Sequence, residues 1–123
     1  MYLGLLLAIS SPSYMPAAEA YHECVRDFAF KLTRSGDSSE IIVSAAETEC
    51  WAQQRNLKDA IDLDTRANPD VEKAFRELPR KDVEAVVKET AEKHLEQTRE
   101  IVRNWVVRDI VLLKAKLTEV EAR

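Results

Sequence analysis

The near absence of chain-breaking residues constrains this fold more than any other feature. The 123 residues contain two glycines and four prolines, and neither residue type occurs after Pro79. Because glycine and proline are the residues that most readily form turns and end helices, the chain has few places to reverse direction. The length suits a single domain. We therefore expect a few long helices, and the predicted fold class is all-α.

The first twenty residues differ in composition from the rest of the chain. They carry one charged side chain, Glu19, and include an apolar run over residues 3–9. Ala18-Glu19-Ala20 then follows the small-x-small pattern that signal peptidase recognises. Residues 1–20 are therefore predicted to be a secretory signal peptide, and residues 21–123 a single helical domain.

This prediction leaves an alternative open at the N-terminus. No lysine or arginine precedes Leu3, whereas a secretory signal normally begins with a basic segment. Either the true start lies further upstream or the terminal amine supplies the positive charge. The alternative is that residues 1–20 form an N-terminal helix packed on the domain.

Charge and hydropathy argue against nucleic-acid binding and against a membrane-spanning segment. The chain has 18 basic and 22 acidic residues, a net charge of −4, which disfavours generic nucleic-acid binding because that binding needs an excess of Lys and Arg. No stretch reaches the roughly 18 apolar residues of a membrane-spanning helix. We expect no nucleic-acid partner and no transmembrane segment in the mature chain.

The first helix is predicted from about residue 17 or 21 to Arg34. Its apolar residues recur at helical spacing and would form one buried stripe: Tyr21, Cys24, Val25, Phe28, Ala29 and Leu32. Gly36 is suited to the left-handed position that ends a helix. Asp37 is the predicted N-cap of the second helix, with Glu40 completing a capping box.

Two further boundaries are marked by prolines. The second helix should end before Asn68, because Asn68-Pro69-Asp70 combines an N-cap, a proline at the first helical position and an acid near the positive end of the helix dipole. The short third helix should then end near Leu78, since Pro79 disfavours the helical conformation of the residue before it.

The last predicted helix begins near Lys81. If continuous to Arg123, it would span about 60 Å; a kink is the alternative. Its apolar residues follow a near-heptad pattern that widens around Trp105, so the helix must be covered by the hairpin, by a partner chain or by both. The predicted interaction surface, with Trp105 as its anchor, consists of Ile101, Val102, Trp105, Val106, Leu112, Leu113, Leu117 and Val120. Packing within the chain could alternatively bury all of it.

The two cysteines of the predicted domain are placed to form a disulfide. Cys24 lies ten residues before Arg34, and Cys50 lies twelve residues after Ser38. In an antiparallel hairpin these positions are about 15 and 18 Å from the turn, so the sulfurs should face each other. Such a bond persists in an oxidising compartment. The alternative is two free buried thiols in a cytosolic protein.

This region resembles a known type of protein. Tyr21-x-x-Cys24-Val25 followed by Ala45-Ala46-x-x-x-Cys50 is similar to the disulfide-linked helical hairpin of small exported bacterial proteins that have no assigned activity. The resemblance covers about residues 21–50. It implies a periplasmic or secreted location and a bond between the two cysteines, and it implies no catalytic residue.

The sequence contains no recognisable catalytic or metal-binding motif. His22 and His94 have no anionic or histidine ligand at the helical spacing that metal sites use, and both are interpreted as structural. The carboxylates have basic neighbours one turn away, as in Glu84 with Lys88 and Glu100 with Arg103, which is typical of a solvent-facing helix. No catalytic residue, metal site or cofactor is predicted, and an enzyme is disfavoured.

Three functional hypotheses follow. The first is a non-catalytic exported protein that binds another protein, or a second copy of itself, through its C-terminal helix. The second is a small envelope enzyme or ligand-binding bundle, with an interhelical pocket lined by Tyr21, Trp51 and Trp105. The third is a cytosolic coiled-coil accessory protein, which requires that residues 1–20 are not a signal.

Overall fold

A computed structural model describes residues 13–122. Within them the chain forms five α-helices and no strand. In chain order these are α1 (Met15–Lys31), α2 (Ser39–Glu49), α3 (Trp51–Arg66), α4 (Pro69–Glu77) and α5 (Arg80–Ala122). The predicted all-α fold, with a hairpin, a short helix and a long C-terminal helix, is confirmed. Most of the predicted signal peptide, residues 1–12, lies outside the described residues.

The turn between α1 and α2 follows the sequence signals in part. α1 is followed by a 3-10 turn (Thr33–Ser35), and Gly36 then takes a φ of +85°, which confirms the left-handed position predicted for it. The N-cap prediction was wrong by one residue, because Ser38, not Asp37, caps α2. Its hydroxyl accepts a hydrogen bond from the backbone N–H of Ile41 at 3.3 Å. Asp37 instead bonds Ser35.

The predicted second helix is two helices that meet at Cys50. The backbone of Cys50 has φ −97° and ψ +26°, outside the helical range, although its N–H still donates to Ala46 O at 3.1 Å. The disulfide between Cys24 and Cys50 is present, with Cα atoms 6.0 Å apart. It ties the middle of α1 to the junction of α2 and α3 and confirms the predicted bond.

Both proline-marked boundaries are confirmed. Asn68 caps α4, with its side-chain oxygen accepting from the N–H of Asp70 at 2.9 Å, and Pro69 is the first helical residue. Leu78 is extended at φ −119° and ψ 160°, so the chain turns there before α5 begins.

The longest helix, α5, is a single element of 43 residues without a break. It runs antiparallel to α2 and α3, because Lys114 bonds the backbone of Asp37 at one end and Glu84 bonds Arg66 at the other. It runs parallel to α1, since Tyr14 contacts His94 and His22 contacts Trp105. All the other helices thus pack along α5.

One hydrophobic core lies between α1, α2, α3 and α5. Its buried residues are Tyr21, Val25, Ala29, Ile42, Val43, Ala46, Cys50, Leu57, Ile61, Ala91, Val102, Val106 and Ile110. α4 contributes no buried residue and lies on the surface against the start of α5. Among the described residues, no helix combines the length and the apolar character that crossing a membrane would require.

Candidate interaction surface

The core fixes which side of α5 faces solvent. Val102 and Val106 are 4% and 0% exposed and belong to the core, so they are unavailable to a partner. Ile101 and Trp105, one position earlier on the helix in each case, are 49% and 48% exposed. The predicted surface is therefore divided between two sides of α5.

The remaining predicted surface residues also differ in exposure. Leu112 and Val120 are exposed, at 60% and 69%, whereas Leu113 and Leu117 are half-buried. Ile101, Trp105 and Leu112 are spaced by four and seven positions, which places them on one stripe of the helix. This stripe is the part of the prediction that a second protein could reach.

Helix α1 adds two exposed apolar side chains that the sequence analysis did not select. Met15 lines the same groove as Ile101 and Trp105, and Phe30 lines a second groove beside Leu112. Both side chains are partly exposed. These five residues define a surface that we term the α1–α5 face. Because α1 and α5 are parallel, Met15 lies at the Ile101 end of the face and Phe30 at the Leu112 end.

Trp105 is held in place on the face by a ring contact. The imidazole of His22 on α1 lies 5.5 Å from the indole, between ring centroids. The other histidine, His94, packs edge-on against Tyr14 with centroids 4.5 Å apart. Both histidines therefore make aromatic contacts between α1 and α5. Neither belongs to a cluster of metal-ligating side chains, since residues 13–122 contain no such group of three or more.

An ion cluster centred on the buried carboxylate of Glu47 lies behind the face and fixes the rotation of α5. Glu47 of α2, whose side chain is 8% exposed, accepts hydrogen bonds from Arg103 at 2.8 and 3.0 Å and from Arg99 at 3.4 Å. Arg99 and Arg103 are one turn apart on α5, and both must point toward α2 to reach Glu47. That rotation turns Val102 and Val106 into the core and leaves Trp105 outside.

The same cluster includes a buried phenol. The hydroxyl of Tyr21 donates to Glu47 at 3.5 Å. Burial raises the pKa of Tyr21 above its ordinary value of 10.0, and the negative charge of Glu47 raises it further, while Arg99 acts in the opposite direction. Hydrogen bonding to Glu47 raises the pKa of Arg103. The cluster is thus a neutral phenol and one carboxylate bound to two guanidinium groups, a structural arrangement.

The alternative hypothesis, an interhelical pocket lined by Tyr21, Trp51 and Trp105, requires these three side chains to lie close together. Tyr21 is fully buried in the core, and Trp51 at the start of α3 is 65% exposed. Trp105 lines a groove of about 190 Å³ between α1 and α5, and neither Tyr21 nor Trp51 contributes to it. The three side chains therefore do not converge on this groove.

Comparisons with known proteins add no functional assignment. No protein-family model, no curated protein and no solved structure matches this chain. The interpretation of the α1–α5 face therefore depends on its own geometry and chemistry.

Proposed function

We propose that this is a non-catalytic exported helical protein that binds another protein chain through the α1–α5 face. The observation that supports this most strongly is the position of Trp105. A tryptophan held half-exposed between Ile101 and Leu112, with Met15 in the same groove, is the kind of aromatic anchor that dominates binding energy at interfaces.

The rigidity of the face also supports binding. Both of its helices belong to the core, and α5 is fixed in rotation by Glu47, Arg99 and Arg103. A preorganised surface loses little conformational freedom on association. The exposed apolar side chains of the face lie in two grooves between α1 and α5, and exposed apolar surface of this kind is enriched at interaction sites.

Export is proposed from the disulfide together with the apolar N-terminal segment. A disulfide between Cys24 and Cys50 indicates an oxidising environment, such as the periplasm or the extracellular space. Residues 3–9 provide the apolar core of a signal peptide. The location proposed is therefore periplasmic or secreted.

The position of the signal-peptide cut determines how much of α1 remains. The predicted cut after Ala20 falls inside α1 and would remove Tyr14, which contacts His94. It would also remove Ser13, whose hydroxyl donates to Asp64 at 2.7 Å. A cut before Ser13 would keep these contacts and Met15 of the face.

Site-specific photocross-linking tests the proposed function. A photoreactive amino acid is placed at Ile101 on the face, or at Ile41, which is 57% exposed on α2, in the cells that make the protein. We expect a defined cross-linked product from position 101 and none from position 41. Its mass identifies the partner as a second copy or a different protein.

Two matched variants serve as controls for this experiment. Trp105→Asp should abolish the product at position 101, because a charge replaces the anchor, whereas Trp51→Asp should leave it unchanged. Both tryptophans are accessible, so neither change should unfold the bundle. Equal products from positions 101 and 41, or no product from 101, would contradict the proposal.

A further inference from the structure

The exposed stripe of α5 consists of four residues whose spacing is symmetric about the centre of the stripe. Ile101, Trp105, Arg108 and Leu112 are separated by four, three and four positions, and all four are exposed. Such steps place the four residues on one side of a helix, as in the seam of a coiled coil. Arg108 makes no hydrogen bond or ion pair with residues 13–122, so its guanidinium is available beside Trp105.

We propose that the partner of the α1–α5 face is a second copy of this chain, docked antiparallel across a twofold axis between Trp105 and Arg108. This inference rests on the proposed function and names its partner. When the α5 helices of the two copies run antiparallel, Ile101 of each copy lies against Leu112 of the other. Trp105 of each copy then lies against Arg108 of the other. A twofold interface requires such self-complementarity.

The chemistry of these pairs favours the antiparallel arrangement. Ile101 against Leu112 buries apolar surface, and the guanidinium of Arg108 over the indole of Trp105 is a favourable cation–π contact. A parallel copy would instead place Arg108 against Arg108, where like charges repel. The single cation of the stripe therefore discriminates between the two orientations.

Helix α1 extends the same symmetry. Met15 lies beside Ile101 and Phe30 beside Leu112. In the antiparallel pair, Met15 of one copy therefore approaches Phe30 of the other, and thioether–aromatic contacts are favourable. In the dimer, α5 would pack against α5 and α1 against α1, and Trp105 would be covered by the second copy.

Charge substitution across the proposed axis tests this inference in solution. Ile101→Lys and Leu112→Glu each place a charge against an apolar side chain, and each should weaken the dimer at least tenfold in sedimentation equilibrium. The double variant I101K/L112E places Lys against Glu at both ends and should recover the dimer. Mixing the two single variants should form a mixed dimer, since position 101 of one chain faces position 112 of the other.

The control is Ile41→Lys, which changes an exposed residue on α2 and should leave the dimer unchanged. Circular dichroism checks that every variant stays helical. A wild-type chain that is monomeric at micromolar concentration, single variants that still dimerise, or a double variant that does not recover would each overturn the inference. The proposed function fails separately, if position 101 forms no cross-linked product with any protein in cells.

Discussion

Glu47 on α2 and Arg103 on α5 are 56 positions apart in sequence and are joined by two hydrogen bonds of 2.8 and 3.0 Å. Arg99, one turn earlier on α5, reaches the same carboxylate. This contact sets the rotation of α5. It therefore connects the buried carboxylate of Glu47 with the exposure of Trp105 on the surface of the bundle.

Replacing Glu47 should destabilise the bundle. Glu47→Gln leaves Arg99 and Arg103 without their anion, and hydrogen bonds to charged groups contribute about 1.5–3 kcal/mol each. Because both arginines are partly exposed and can turn toward water, we expect a loss of about 2 kcal/mol in the free energy of unfolding, measured by urea denaturation. Glu49→Gln, an exposed change on the same helix, should alter stability by less than about 0.5 kcal/mol. Equal effects would contradict the role of the cluster.

Acid should weaken the bundle through Glu84. Hydrogen bonds from Arg66, at 2.8 and 2.9 Å, hold the pKa of Glu84 below its ordinary value of 4.5. The unfolded chain then binds this proton more readily than the folded chain, so the stabilisation is present above the ordinary pKa and is lost as the pH falls through the folded-state pKa.

The expected result is a smaller pH dependence in the variant Glu84→Gln. Its melting temperature should fall less than that of the wild type between about pH 6 and pH 3. The control is Glu89→Gln, because the carboxylate of Glu89 is largely exposed and lies 3.9 Å from Lys93. A Glu84→Gln profile parallel to the wild-type profile would show that the bond to Arg66 does not stabilise the fold.

Reduction should lower the stability of the hairpin. Cys24 and Cys50 close a loop with a sequence separation of 26, and the chain-entropy model gives about 3.5 kcal/mol for a loop of this size. The urea midpoint of the wild type should fall when a reductant is added. The double variant C24S/C50S cannot form the disulfide, so it should have the midpoint of the reduced wild type whether or not reductant is present. A wild-type midpoint that does not respond to reductant would contradict this prediction.

Gly36 should be sensitive to substitution for a purely conformational reason. Its φ is +85°, and a Cβ atom added at this position would meet no neighbouring group within 4 Å. Gly36→Ala should therefore cost about 1 kcal/mol in unfolding free energy through backbone strain alone. Gly36→Asn should cost less, because asparagine tolerates the left-handed region better. An alanine variant as stable as the wild type would contradict the strain argument.

The boundaries that could be predicted are those set by a residue's own backbone chemistry. Gly36, Asn68 and Pro79 act on φ, ψ or a local hydrogen bond, so a short window of sequence contains the whole signal. The cysteine pair could be predicted because the turn at Gly36 fixes the register of the hairpin. The choice of Ser38 over Asp37 as N-cap was missed because both residues are chemically suitable and lie side by side.

Contacts between distant helices could not be predicted from local spacing. The one-turn spacing of acidic and basic residues predicted ion pairs of Glu84 with Lys88 and of Glu100 with Arg103. In the structure, Glu84 instead pairs with Arg66, and Arg103 pairs with Glu47. A one-turn rule compares only neighbours on the same helix. For the same reason, Val102 and Val106 were assigned to the interaction surface together with Trp105. Which of these residues faces the core depends on how α5 is rotated against α2, and local spacing does not contain that information.

The two α1 residues of the face were missed for different reasons. Met15 lies within residues 1–20, which were interpreted as a signal peptide and left out of the domain. Phe30 lies outside the buried stripe of α1, where a single aromatic residue gives no periodic signal. Their significance comes from the neighbouring helix, which brings Ile101 and Leu112 beside them.

The intact mass of the protein taken from the cells that make it, recorded without reductant, most directly tests whether this bundle is an exported, disulfide-bonded domain. The mass should be below the 14.0 kDa of the whole chain by the weight of a removed N-terminal segment. It should also lack the two thiol hydrogens of Cys24 and Cys50, and alkylation should add nothing. A full-length mass with both thiols free to react would contradict export and the disulfide together.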